Sequence, residues 1–128
     1  MTIILCMDDK NGISFNNRRQ SRDKILIDHV IKHDNIYIQE YSKILFLDHP
    51  VRIINNTSKL PADAVYFHEI TDPADIIDQF DTIIIYRWNR HYQSDIQFDF
   101  KTDLYKKIFE EDFIGSSHDK ITKEIWIR

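Results

Sequence analysis

Thr82-Ile83-Ile84-Ile85-Tyr86 is a short, nearly continuous apolar run rich in β-branched residues. Such runs mark strands covered on both faces. Thr2-Ile3-Ile4-Leu5-Cys6 repeats the pattern at the other end of the chain, so both are expected at the centre of a sheet. Asp95-Ile96-Gln97-Phe98-Asp99-Phe100 alternates strictly instead, and Ile121, Ile125 and Ile127 share parity, with Lys123 the exception on that face. Alternation predicts half-exposed antiparallel strands toward an edge. Shorter strands are expected at Asn35–Gln39, Val51–Ile54 and Ala64–Phe67.

Helical patterns lie between these runs. Leu26, Ile27, Val30 and Ile31 recur at helical spacing after Ser21, which reads as the N-cap. Asp72-Pro73-Ala74-Asp75 places an acceptor at an N-cap, proline at the first helical position and an acid in the first turn, ahead of Ile76, Ile77 and Phe80. Tyr41–Leu47 predicts a shorter helix and Leu104–Glu110 a turn or two, while Asn11-Gly12 forms the turn after the opening strand. Strands separated by helices and followed by two alternating strands predict an α/β fold, its sheet mostly parallel and finishing antiparallel.

With 128 residues, 42% hydrophobic, the chain suffices for one domain, 1–128, with one substantial core. A net charge of −4 supplies no global field for nucleic acid or anionic lipid, so nucleic acid would need a local basic patch. The lone Cys6 forms no intramolecular disulfide and reads as a core residue. Thr2–Met7 is only a strand's length and runs into Asp8-Asp9-Lys10, unlike a signal peptide, and no run reaches the roughly 20 apolar residues of a membrane span. A soluble, cytoplasmic protein without a membrane partner is expected.

Several stretches resemble dihydrofolate reductase. Ile3-Ile4-Leu5-Cys6-Met7-Asp8-Asp9-Lys10-Asn11-Gly12-Ile13 is similar to that family's first strand and Asn-Gly-Ile turn, and Asn17-Arg18 stands where its Asn-Arg-Leu-Pro-Trp loop begins. Ile84-Ile85-Tyr86-Arg87, Ser94-Asp95-Ile96-Gln97-Phe98 and Ser117-His118 through Arg128 resemble its closing strands. The resemblance implies a single-domain, three-layer dihydrofolate reductase-like fold with a mostly parallel central sheet and antiparallel C-terminal strands. It also extends to a divergent group of small bacterial proteins that share the Arg-Arg-Gln-Ser, Trp-Asn-Arg and Gly-Ser-Ser-His-x-Lys-Ile-Thr-x-Glu patterns.

The reductase motifs themselves are missing. Arg19-Gln20-Ser21 replaces Leu-Pro-Trp, exchanging an apolar lid for a charged one, and Gln39-Glu40-Tyr41-Ser42 stands where the family has the Gly-Arg-x-Thr of its phosphate site. An acid there repels phosphate. Tyr66-Phe67-His68-Glu69 occupies the segment before Pro73 where the family carries a Gly-Gly pair. The expectation is therefore a binding protein without reductase activity and without a cofactor.

Its site is sought among Arg18, Arg19, Gln20, Asp23, Tyr86 and Arg90. On the resemblance, Asp23 is the nearest match to the family's pocket carboxylate and Tyr86 faces it across the sheet. Arg18, Arg19, Arg22 and Lys24 are the dense basic cluster, with Arg87, Arg90 and His91 expected nearby. Arginine forks suit phosphate and carboxylate, so an anionic small molecule, a nucleotide or an acidic protein surface is the expected partner. Two other readings stay open. His118, in Gly115-Ser116-Ser117-His118, would act as general base in a phosphodiesterase or nuclease with Arg19 or Arg90 on the phosphate, provided a further group orients its imidazole. Trp88-Asn89-Arg90 would present an edge to a partner in an inhibitor or immunity protein. His29 and His33, four apart, have a zinc-capable helical spacing, but no third ligand stands out and no metal site is expected.

Overall fold

The computed structural model describes residues 1–100 and 103–128. The opening run forms β1 (Thr2–Met7), followed by β2 (Gly12–Phe15) and β3 (Arg18–Arg19). Helix α1 (Lys24–Val30) leads to β4 (Ile36–Ile38), β5 (Arg52–Ile53) and β6 (Val65–Phe67). β7 (Thr82–Arg87), β8 (Ile96–Gln97), β9 (Lys106–Phe113) and β10 (Ile121–Ile127) complete the chain. The main sheet has the order β5-β4-β6-β1-β7-β10-β9, and β3-β2-β8 form a second, smaller sheet. As the apolar runs predicted, β1 and β7 lie near the centre of the sheet; the structure sets them side by side and parallel, with Ile4 opposite Ile84. β10 runs antiparallel to both β7 and β9.

Alternation along these central strands divides the core. Ile3, Leu5, Met7, Ile83 and Ile85 face one side with Tyr66, Phe80 and Phe98. Ile4, Ile84 and Tyr86 face the other with Leu26, Ile27, Val30, Phe46 and Trp88. Burial of this kind contributes about 25 cal/mol per Å² of apolar surface, which is why the two unbroken runs sit where both faces are covered.

Four local expectations are corrected. The cap of α1 is Asp23, whose carboxylate accepts from the Ile25 and Leu26 amides, because the hydroxyl of Ser21 is engaged elsewhere. Asp72 does cap Ala74, but two 3-10 turns, Pro73–Asp75 and Ile77–Gln79, follow in place of a longer helix. Asp95–Phe100 alternates in burial as read, yet only Ile96–Gln97 is strand, and it pairs with β2 in the small sheet. Asn11 and Asn16 draw it there, donating to Asp99 and Asp95. Leu104–Glu110 contributes most of a strand rather than a helical turn, since pairing with β10 overrides weak local preference.

Asparagine, rather than glycine, supplies most of the left-handed backbone. Asn11, Asn16, Asn17, Asn35 and Asn89 all have φ between 53° and 60°, whereas neither glycine has positive φ. At the end of β1 the buried Asp8 carboxylate accepts from the amides of Lys10, Gly12 and Tyr92 and from Gln20 Nε2 at 2.7–3.1 Å. Burial pushes its pKa up, but these donors outweigh burial and hold it below the ordinary value. Asp8 thus ties the loops around Gln20 and Tyr92 to the central strand. Asp8→Asn turns an NH2 toward donors that need an acceptor, and is expected to cost about 1–3 kcal/mol in chemical denaturation.

Candidate functional site

Asp23 organises the site. Besides capping α1, its Oδ1 accepts the Ser116 amide at 3.0 Å and its Oδ2 accepts the Ser117 amide at 2.8 Å, the Ser117 hydroxyl at 3.2 Å and His118 Nδ1 at 3.0 Å. Burial raises the carboxyl pKa, but the hydrogen bonds dominate and hold it far below the usual carboxylate range. An ionised carboxylate only accepts, so Nδ1 of His118 carries a proton. Its Nε2 lies 2.9 Å from the Tyr92 hydroxyl and 3.2 Å from Ser21 Oγ, and the ring stacks on Trp88 at 4.5 Å. Ser21, His118 and Asp23 therefore form a hydroxyl–imidazole–carboxylate array. Gly115 makes the close approach possible: a Cβ there would collide with the Asp23 carboxylate.

The residues before Asp23 are anchored in the same manner. Arg19 grips Glu69 through Nε at 2.8 Å and Nη2 at 3.0 Å, and its guanidinium lies 4.4 Å from the centre of the Tyr41 ring. Glu69 also accepts from Ser42 at 2.7 Å. Burial lowers the Arg19 pKa, but the hydrogen bond and charge of Glu69 outweigh it and the net shift is upward. Gln20 reaches Asp8, and Ser21 reaches His118. Three consecutive side chains thus each hold a buried ionisable group.

Two cavities flank this core. One of about 440 Å³ opens between α1 and the 3-10 segment Glu40–Phe46, with Arg22, Lys24, Asp28 and His49 on its walls, Ile27, Ile44 and Leu45 as its apolar part, and Ser116 and Ser117 beside Asp23. Arg22 and Lys24 are exposed and enter no salt bridge among the described residues. The other, about 280 Å³, is lined by Gln39, Asn55, Asn56, Thr57, Asp72 and Asp75 over the buried Tyr66 and His68, with neither lysine nor arginine on its wall. There His68 Nε2 donates to the Thr71 carbonyl at 2.8 Å, leaving Nδ1 to accept from the Tyr66 hydroxyl at 3.0 Å. Burial lowers the His68 pKa and raises that of Tyr66. Ile70, next in this segment, holds φ at 75°, a conformation that costs a β-branched residue roughly 1–2 kcal/mol.

The residues singled out in the sequence are dispersed. Asp23 and His118 meet, whereas Arg19 and Gln20 line a separate small cavity with Cys6, Ser21, His68 and Glu69. Arg18 and Arg90 are exposed at other points of the loops. Tyr86 is fully buried, its hydroxyl unpartnered, packed edge-on against His29 and Phe113 at ring distances of 6.5 and 6.1 Å; it makes no hydrogen bond with Asp23. Arg87 is held by Glu124 and Asn11. Ser21, Trp88 and Tyr92 complete the surroundings of His118, and no spacing in the chain links them. His33 lies beyond the C-cap Ile31, so it does not share a helix with His29, which stacks on Phe113 at 4.1 Å. No group of three or more metal-ligating side chains occurs among the described residues, and no helix among them is long and apolar enough to cross a membrane.

The backbone aligns over 99% of its length with 95% of the dihydrofolate reductase from Enterococcus faecalis complexed with NADP(H) and RAB-propyl, at a TM-score of 0.71 and 9% sequence identity. The chain has a dihydrofolate reductase-like fold. No protein-family model and no curated protein matches its sequence.

Three outcomes follow from this geometry. Gly115→Ala is expected to displace the 115–118 turn from Asp23 and to lower the thermal midpoint. Asp23, with its depressed folded pKa, contributes stability above its unfolded pKa of about 4 that is lost as pH falls toward the folded value. Asp23→Asn should therefore be less stable at pH 7 and lose less between pH 5 and 2 in acid titrations. Tyr86→Phe removes an unpartnered buried hydroxyl, so denaturation should find it unchanged or about 1 kcal/mol more stable.

Proposed function

We propose that this protein is a non-reductase binding protein on the dihydrofolate reductase-like scaffold, and that its ligand is a small organic anion with an apolar body, a nucleotide being the leading class. The supporting observation is the cleft of about 440 Å³, where unpaired Arg22 and Lys24 stand beside the apolar Ile27, Ile44 and Leu45. A volume of this order suits a drug-sized ligand. Arg22 and Lys24 would take the anionic head, the apolar residues its body, and Asp28 a donor on the ligand.

Two features weigh against folate reduction. The Asp23 carboxylate is already occupied by six donors, counting the two of its cap, and has no acceptor capacity to spare for a pterin. The cavity over His68 does not fit a dinucleotide cofactor, because Asp72 and Asp75 meet a pyrophosphate with like charge and no cation offsets them.

A hydrolytic reading has one observation in its favour, the Ser21–His118–Asp23 array. The phosphate-binding arginines of that reading are the weak point, since Arg19 is committed to Glu69. For an inhibitor or immunity protein, the Trp88 edge offers little aromatic surface, because Trp88 is buried against His118.

Thermal shift against nucleotides, pterins and aromatic carboxylates tests the binding reading. Ligand at about 100-fold over its Kd should add about 2.7 kcal/mol of stability. Arg22→Ala with Lys24→Ala should abolish the shift, and the failure of every anion to produce one would sink the proposal. In parallel, phosphodiester and ester cleavage by the wild type, compared with His118→Gln, decides the hydrolytic reading. It falls if there is no cleavage, or if cleavage survives the substitution.

A further inference from the structure

Leu104, Ile108, Phe109 and Ile114 are 53, 53, 40 and 78% exposed, and all lie on or beside β9. Among the described residues β9 closes the main sheet and pairs on one side only, with β10. Every residue from Lys106 to Asp112 is exposed, so this stretch of the strand is uncovered on both faces as well as along its free edge. An edge strand of eight residues carrying exposed apolar side chains is a template for pairing with another strand.

Its charges indicate which strand. Lys106 and Lys107 precede Ile108-Phe109, and Glu110, Glu111 and Asp112 follow. Run antiparallel to itself about Ile108-Phe109, β9 sets the two lysines of one copy against the two glutamates of the other. A parallel arrangement would set lysine against lysine. The faces agree as well. The register with β10 shifts between Ile125 and Trp126, which places Lys107 and Glu110 opposite Trp126 and Glu124 on one face, and Lys106 and Glu111 opposite Ile127 and Lys123 on the other. A two-fold axis perpendicular to the sheet preserves faces, so oppositely charged residues meet on the same side.

We propose that β9 is the docking edge for a second copy of this chain, joining two seven-stranded sheets into one continuous antiparallel seam. Lys107 Nζ holds Glu110 of its own strand at 2.8 Å. In the dimer the Lys107 of each copy exchanges that partner for its equivalent in the other copy. The ion pairs therefore set register and orientation, while backbone pairing and the cover given to Ile108 and Phe109 supply the affinity.

Light scattering coupled to gel filtration, run over a concentration series, should show the mass rising from one chain to two, with the dimer fraction falling as salt increases. Lys106→Glu with Lys107→Glu should weaken the homodimer by about ten-fold or more, and so should Glu110→Lys with Glu111→Lys. Mixing the two double variants should restore a heterodimer. Wild-type protein that stays monomeric at millimolar concentration overturns the proposal, as does a dimer that both double variants leave intact, or a mixture that fails to associate. Should a charge variant fail to fold, Ile108→Lys at its exposed position serves instead: loss of the dimer supports the seam, and an unaffected dimer overturns it.

Discussion

A buried carboxylate must find donors, and the Asp23 carboxylate finds six. Two belong to the first turn of α1, three to Ser116 and Ser117, and one to the imidazole of His118. That single group therefore joins the start of the helix to the turn that precedes β10, residues nearly a hundred positions apart. Removing so many donors from water would be costly unless the anion were present, and the depressed pKa expresses the same balance from the side of the proton.

The loop leading into Asp23 obeys the same rule. Glu69, Asp8 and His118 are each buried or nearly so, and each is met by one of the consecutive side chains Arg19, Gln20 and Ser21. A segment so pinned is fixed against the interior, its own residues half-buried while their partners are buried. Beside Asp23 the cleft is open to solvent, with the exposed Arg22 and Lys24 on its wall. The division between satisfied charges inside and unpaired charges at the cleft is the physical basis for the binding role proposed.

The scaffold tolerates a thin helical cover because its strands bring so much apolar surface to the middle. Among the described residues only α1 is an α-helix, and 3-10 segments at Glu40–Phe46, Pro73–Asp75 and Ile77–Gln79 cover much of the rest. Phe46, Phe80 and Phe98 fill volume that longer helices would otherwise supply. Ile70 at positive φ fits the same picture: it stands in the segment between Glu69 and Thr71, both tied to the site, and tertiary contacts there outweigh a local strain.

By itself the sequence determined the centre of the sheet. Thr2–Cys6 and Thr82–Tyr86 are apolar on both parities, as strands covered on both faces are; the shared parity of Ile121, Ile125 and Ile127 likewise marked a strand with one buried face, whose antiparallel direction the sheet shows. Asp23 and His118 were also legible as chemically interesting residues, although not as partners. Tertiary structure alone decided their pairing, the recruitment of Ser21 and Tyr92, the commitment of Arg19 to Glu69, and the conversion of Leu104–Glu110 to strand. Local periodicity records which side of an element faces the core, because burial repeats with the geometry of the backbone. A hydrogen bond between residues 23 and 118 leaves no period in the chain, and it exists only once the sheet has brought those two loops together.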